Sequence, residues 1–250
     1  MSSLLQTAIK AAQAAGQLQR ENFGTELAVN ELLTYDVKLD LDVRCQELIT
    51  QIILAEFPDH AVLGEEGDAG NPQGEVQWIV DPIDGTVNYF YGIPHFCVSI
   101  AARQEGKYVA GVIFDPMQNE LWTVEEGGVP QLNGKPIHPS NRGTLREAVV
   151  TIGFSKSRES LESSFDRYKR ISVQVRKTRM LGSAALALAY VACGRLDGYL
   201  EEQVSEWDIA AGRMLLDTAG GNCQVLPSRT QEGKIFVCAT NGKLDMSEYI

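Results

Sequence analysis

Histidine and cysteine are both sparse in this 250-residue chain, and neither falls into a metal-binding or nucleophilic pattern. His60, His95 and His138 stand far apart beside proline or apolar residues, so each reads as structural and zinc is not the expected ion. The five cysteines, Cys45, Cys97, Cys193, Cys223 and Cys238, are odd in number and include no C-x-x-C pair. All lie in apolar segments, which predicts buried free thiols in a reducing compartment. No serine occupies a G-x-S-x-G turn, so that form of nucleophilic hydrolase is not indicated. Long apolar runs are missing too. The Ala- and Leu-rich uncharged stretch Met180 to Gly194 is too short to span a bilayer. The first residues show no basic segment leading into an apolar core, and Leu4, Leu5, Ala8, Ile9, Ala12 and Ala15 recur at helical spacing instead. A cytoplasmic protein with no membrane partner is expected. Cations are outnumbered, 22 to 33, giving a net charge of −11 and a pI near 4.8. Such a balance argues against nucleic acid as the main partner.

What is present is acid, placed at the ends of predicted elements. In WIVDPIDGTVN, residues 78–88, Asp81 and Asp84 sit three apart after an apolar run and before Gly85-Thr86. Two like charges about 4 Å apart repel by roughly 4 kcal/mol at an effective dielectric of about 20, and a cation between them would relieve this. Oxygen-only ligands suit Mg²⁺ or another hard divalent ion. Asp-Pro and Asp-Gly are also turn dipeptides, so taken alone the segment reads equally well as a tight loop. Its company argues otherwise: Asp42, Glu65, Glu66 and Asp208 each stand beside a predicted element end. Asp42 and Asp208 have helix N-caps as their simpler reading, and Glu65-Glu66 a solvated turn. Thr86 is either a cap or a hydroxyl fixed beside a bound water, with the Gly85 and Thr86 amides opening a helix toward phosphate.

The element order predicts an α+β first half: a helix from Ser2 or Ser3 to about Phe23, and a second from Asp40–Asp42 to Pro58. A strand over 61–64, a strand ending at Asp81 and a meander over 96–103, 108–114 and 120–124 follow. The loop-rich stretch 127–143 is the expected seam, dividing 1–142, with most candidate metal ligands, from 143–250, with Asp208; the two halves make one compact unit. Beyond it strands (148–152, 171–175, 196–200, 222–226, 235–238) and helices (157–170, 182–193, 207–219) predict a layered α/β second half. Six cations crowd Arg167 to Arg179. They read as solvated surface, or alternatively as a basic rim that would favour a bisphosphate.

GEE at 64–66, DPIDGTVNY at 81–89 leading into GIPHFCVSIA, and WDIAAGRMLLDTAGG at 207–221 carry a resemblance over nearly the full length. NGKPIHPS at 133–140 and RMLGSAALALAYVACGRLDGYLE at 179–201 extend it. On these residues the chain resembles the inositol monophosphatase family of Mg²⁺-dependent, lithium-sensitive phosphatases. The resemblance implies a sugar-phosphatase-like αβαβα sandwich, two sheets between helix layers, working as a homodimer on a small phosphorylated metabolite. It implies two to three Mg²⁺ per site: Glu65, Asp81 and the Ile83 carbonyl for one, Asp81, Asp84 and Asp208 for a second. Asp42 and Glu65 would meet a third through water. Gly85 and Thr86 would bind phosphate, and Gly182, Ser183, Ala184 and Glu201 the alcohol. Glu65 and Thr86 would hold the attacking water, and water near Asp208 would protonate the leaving oxygen. Inositol 1-phosphate is the first substrate expected. Fructose-1,6-bisphosphatase, histidinol-phosphatase and phosphoadenosine phosphatase activities are the alternatives, and a non-catalytic metal- or phosphate-binding regulator is the rival. The chain departs from the family where a lysine is usual: Glu31 occupies that place and Lys38 lies nearby.

Overall fold

The computed structural model describes residues 1–25, 29–32, 37–154 and 157–250, with the side chains of 29–32, 37, 38, 158 and 159 left aside. Helix α1 (Ser3–Asn22) and a ribbon of β1 (Val29–Leu32) and β2 (Val37–Leu39) precede α2 (Asp40–Glu56). Glu31 and Lys38 are register partners across that ribbon, but their side chains lie outside the described residues.

The first large sheet begins with β3 (Ala61–Gly64), β4 (Ala69–Gly70) and β5 (Val76–Asp84). After α3 (Thr86–Phe90) it continues through β6 (Cys97–Gln104), β7 (Lys107–Asp115), β8 (Glu120–Glu125), β9 (Gln131–Leu132) and β10 (Lys135–Pro136). Its order is β10-β9-β8-β7-β6-β5-β3-β4. The second sheet takes β11 (Val149–Ile152), β12 (Lys177–Arg179), β13 (Gly198–Val204), β14 (Asn222–Pro227) and β15 (Ile235–Thr240), ordered β12-β11-β13-β15-β14. Helices α4 (Arg158–Ser172), α5 (Ala184–Ala192) and α6 (Glu206–Ala219) alternate with these strands.

Side-chain alternation along the strands builds the layers. On β5, Trp78 and Val80 join Leu5, Ala8, Ile49 and Ile53 of α1 and α2, while Ile79 joins Leu186, Leu188, Ile209 and Leu215 of α5 and α6. The same two helices cover Tyr199, Val237 and Ala239 of the second sheet. On its other face Val150, Leu200 and Phe236 meet Ile171 of α4 and the C-terminal Tyr249. The result is the expected αβαβα sandwich, with α5 and α6 as its middle layer. All five cysteines are free thiols, four of them buried.

Three expectations are corrected. Strand β5 continues to Asp84, because a bulge absorbs Pro82-Ile83 without breaking the ladder. The stretch 171–175 is not a strand: α4 runs to Ser172 because Tyr168, Ile171 and Val175 recur at helical spacing against the core, and the strand forms at 177–179. The loop 127–143 contains β9 and β10, which extend the first sheet.

Arg167 is also not solvated. It is buried, its Nε donates to the Tyr249 carbonyl at 2.8 Å, and its guanidinium faces buried Glu202 at 3.6 Å and the Phe236 ring. Removing one partner of a buried ion pair typically costs about 3–5 kcal/mol, whereas exposed charges away from such features matter by about 0.5 kcal/mol or less. Arg167→Ala should therefore lower the free energy of unfolding in urea by about 3 kcal/mol, and Arg176→Glu by less than about 0.5 kcal/mol. Equal effects would contradict the buried pairing.

Candidate active site

A regular strand points residues three apart to opposite faces. Asp81 pairs with Ser99 and Asp84 with Cys97, so β5 spends three steps where β6 spends two. This one-residue bulge puts both carboxylates on one side of the sheet. Behind it, buried Gln19 of α1 holds the Pro82 carbonyl at 2.6 Å and accepts the Tyr89 hydroxyl on its own carbonyl at 2.7 Å.

The bulge opens onto a cleft of about 600 Å³ lined by Glu65, Asp81, Ile83, Asp84, Gly85, Thr86, Gly182, Ser183, Ala184, Glu201 and Asp208. These are the expected site residues apart from Asp42, which reaches the same place through Thr86. The Thr86 hydroxyl lies 2.9 Å from the Ile83 carbonyl and 3.2 Å from Asp42 Oδ1, and its one proton serves either acceptor. Thr86 opens α3 behind Gly85, which takes a left-handed φ of 101° as the cap.

Asp42, Asp84 and Asp208 are each held by backbone amides. Asp42 and Asp208 are not N-caps but occupy the third helical position, and their carboxylates accept the cap amides of Leu39 at 3.1 Å and Ser205 at 2.6 Å. Asp84 is fastened to the start of α5: Oδ1 accepts the Ala184 amide at 3.1 Å, and Oδ2 accepts the Ala185 amide at 2.8 Å and the Ser183 hydroxyl. Glu65 is placed by the turn after β3, where Gln46 accepts the Glu66 amide at 2.9 Å and donates to the Gly67 carbonyl at 2.7 Å. Position 64 must be glycine for this clamp, since a Cβ there would sit 2.3 Å from Gln46 Oε1. Glu201 accepts the Tyr199 hydroxyl at 2.7 Å and lies over Gly153, where a Cβ would come within 1.8 Å of Glu201 Oε2.

The acids strain one another electrostatically. Burial, then the charge of Asp208, pushes Glu65 up to about 8, and burial above all pushes Asp42 up to about 7. Burial and the charge of Glu65 drive Asp81 well above the carboxylate range. Burial also raises Asp84, overriding the hydrogen bonds from Ser183, Ala185 and Ala184.

Among the described residues no three Asp, Glu, His or Cys side chains converge as a ready-made metal cage. The chemistry of the donors nevertheless fits a hard divalent ion. The cleft is lined by carboxylates and a carbonyl, and no histidine or cysteine lines it. Asp84 Oδ1 accepts one hydrogen bond, leaving it a lone pair for another partner. None of the cations of 167–179 is among the residues lining the cleft.

Sequence reasoning missed Gln46, Asn88, Gln203 and Lys234. Asn88 donates to the His95 and Leu181 carbonyls at 2.8 Å each, joining α3 to the approach to α5. Gln203 and Lys234 line the cleft. All four act through partners distant in the chain, so no local pattern marks them.

Fold and cleft together define a layered α+β protein of the phosphatase type. The chain belongs to the inositol monophosphatase family, whose model matches residues 1–242. It is 40% identical over 217 residues to the Nus factor SuhB of Xylella fastidiosa, covering 85% of this chain and 78% of that protein. The solved structure of the extragenic suppressor protein SuhB from Bartonella henselae superposes with a TM-score of 0.89 at 30% identity, covering 96% of this chain and 95% of the other. Inositol monophosphatase from Anabaena (Nostoc) sp. PCC 7120 superposes with a TM-score of 0.80 at 34% identity, covering 96% and 91%.

The raised pKa values tie this site to stability. A carboxyl with a raised pKa supports the fold fully only below its ordinary value, 4.5 for Glu65 and 3.8 for Asp42. That support is lost as pH rises through about 8 and about 7. In chelator, the melting temperature should fall between about pH 5 and about pH 8.5, and Asp81→Asn should flatten the fall. A level or rising profile would overturn this electrostatic account.

Proposed function

We propose that this chain is a Mg²⁺-dependent phosphomonoesterase that hydrolyses a small polyol or sugar phosphate, with inositol 1-phosphate as the first candidate. The observation that carries this reading is the convergence of Glu65, Asp81, Asp84, Thr86 and Asp208 on one cleft with Ser183, Ala184 and Glu201. Family membership and the likeness to a named inositol monophosphatase support it.

Glu65, Asp81, the Ile83 carbonyl, Asp84 and Asp208 would hold Mg²⁺, with Asp42 a further contributor. When bound, such ions neutralise phosphate charge, lower the pKa of water and stabilise the leaving alkoxide. The residues of the chain do the rest. Glu65 and the Thr86 hydroxyl orient the attacking water, and Glu65 takes its proton. The Gly85 and Thr86 amides face the phosphate. The water oxygen forms the new bond to phosphorus as the ester bond breaks on the opposite side, and water held near Asp208 protonates the departing alcohol. Ser183, Ala184 and Glu201 receive the alcohol, Glu201 accepting from its hydroxyls. Because the attacking group is water, no phosphoenzyme forms.

The name Nus factor, carried by a relative at 40% identity, motivates a second reading in which the fold also serves a non-catalytic role. Retention of Glu65, Thr86 and Asp208 favours the enzyme.

Phosphate release should be measured from a panel of esters with Mg²⁺, with EDTA and with added Li⁺. Release should require Mg²⁺ and be suppressed by EDTA and by Li⁺; no release from any ester, with metal binding intact, refutes the enzymatic reading. Asp81→Asn and Asp208→Asn should each reduce turnover by about 100-fold or more while the fold persists. Near wild-type activity in either would refute the assignment of that residue.

A further inference from the structure

The first turn of α6 carries Asp208, and two ties fasten that turn to the first sheet. Gln77, Arg103 and Tyr108 are register partners in a row across β5, β6 and β7. Glu206 of α6 meets this row. Its Oε1 accepts Arg103 Nη1 at 2.5 Å and the Tyr108 hydroxyl at 3.0 Å, while Arg103 Nη2 donates to the Gln77 side chain. At the next residue, the Trp207 carbonyl accepts the Ser99 hydroxyl at 3.4 Å, and Ser99 is the register partner of Asp81. Gln77, Ser99, Arg103, Tyr108 and Glu206 are not among the residues lining the cleft.

The helix does not need these ties to stay on the sheet. Ile209, Ala210, Ala211, Leu215 and Leu216 already bury its apolar side in the core. Arg103 and Glu206 keep 29% and 28% of their side chains exposed, and an ion pair of that kind adds little to stability. What it adds is direction. A guanidinium presents its donors in a rigid plane, so holding Gln77 with one nitrogen and Glu206 with the other fixes the helix turn in the frame of the sheet. Asp208 inherits that placement, because its carboxylate accepts the Ser205 amide at 2.6 Å within the same turn. Asp81 stands on the sheet and Asp208 on the helix, so the separation of the two acids follows the fit of the turn to the sheet. Mg²⁺ demands near-ideal octahedral geometry at about 2.0–2.1 Å, so a displaced ligand costs affinity.

We propose that Arg103 and Glu206 are a positioning pair for the cation site: through the first turn of α6 they set Asp208 against Asp81 and so raise the affinity for a divalent ion. The inference rests on the metal assignment of the function proposed above. Neither residue touches the ion or the substrate.

Mg²⁺ should be titrated into the metal-free protein at one fixed pH and followed by calorimetry. Arg103→Met and Glu206→Ala should each weaken the Mg²⁺ Kd by about tenfold, and the double variant by no more than either alone, because the two act as one unit. Glu206→Gln keeps an acceptor for Tyr108 and should lose less than Glu206→Ala. Arg195→Ala breaks a comparable pair with Glu120, 2.5 Å apart and not lining the cleft, and should leave the Kd unchanged. An unmoved Kd in both single variants, losses that multiply in the double variant, or an equal loss in Arg195→Ala would overturn the proposal. Absence of Mg²⁺ binding by the wild type would overturn the metal assignment and this inference with it. Mg²⁺ binding without release from any ester would overturn the phosphatase reading alone.

Discussion

The structure depends on holding several carboxylates in one low-dielectric cleft without a matching set of protein cations. Repulsion and lost hydration both oppose this, and the raised pKa values of Asp42, Glu65, Asp81 and Asp84 express that cost. The fold answers with backbone dipoles. The first turns of α2, α5 and α6 all present amides to these acids: Leu39 to Asp42, Ala184 and Ala185 to Asp84, and Ser205 to Asp208. A helix N-terminus carries about half a positive charge, so three of them fix the acids in place without neutralising them. What remains is an excess of negative charge suited to a divalent ion.

Two bulges turn the sheets toward that cleft. One lies between Asp81 and Asp84 in the first sheet, the other between Glu201 and Val204 in the second. Each adds one residue relative to its partner strand. In β5 the added residue returns Asp84 to the face of Asp81. In β13 it accompanies the left-handed Gln203, whose amide braces the loop bearing Lys234. Both departures from regular pairing occur where the chemistry is expected, and the hydrogen bonds from Gln19 and Gln203 offset the local irregularity.

The sequence disclosed what local periodicity encodes. The apolar run Trp78-Ile79-Val80 announced a buried strand, and the spacing of Leu5, Ala8, Ala12 and Ala15 announced the helix α1. It also disclosed the acids, because carboxylates at element ends are unusual enough to notice. It did not disclose where β5 stops, since a bulge and a turn share the same Asp-Pro and Asp-Gly signals. The stretch Ile171 to Val175 carries alternation and helical spacing at once, and tertiary contact with the second sheet decided for the helix. Arg167 looked like one of a surface run because its partners, Glu202, Phe236 and Tyr249, are distant in sequence. Gln46 and Lys234 were invisible for the same reason.

On the proposed reading an acidic protein takes an anionic ester and must reverse its own field, and that reversal would be coupled to folding. Without a cation, the cleft lowers its charge by retaining protons, which the raised pKa values of Glu65 and Asp81 express. A divalent ion competes for the same oxygens, so binding must release protons and must weaken as pH falls. The ion then stabilises the folded state by mass action at the pH where the bare cleft is least stable. On the same reading, substrate binding would add to this linkage, because phosphate brings counter-charge to the bound cations. Fold stability, cation affinity and substrate affinity are therefore three readings of one electrostatic balance.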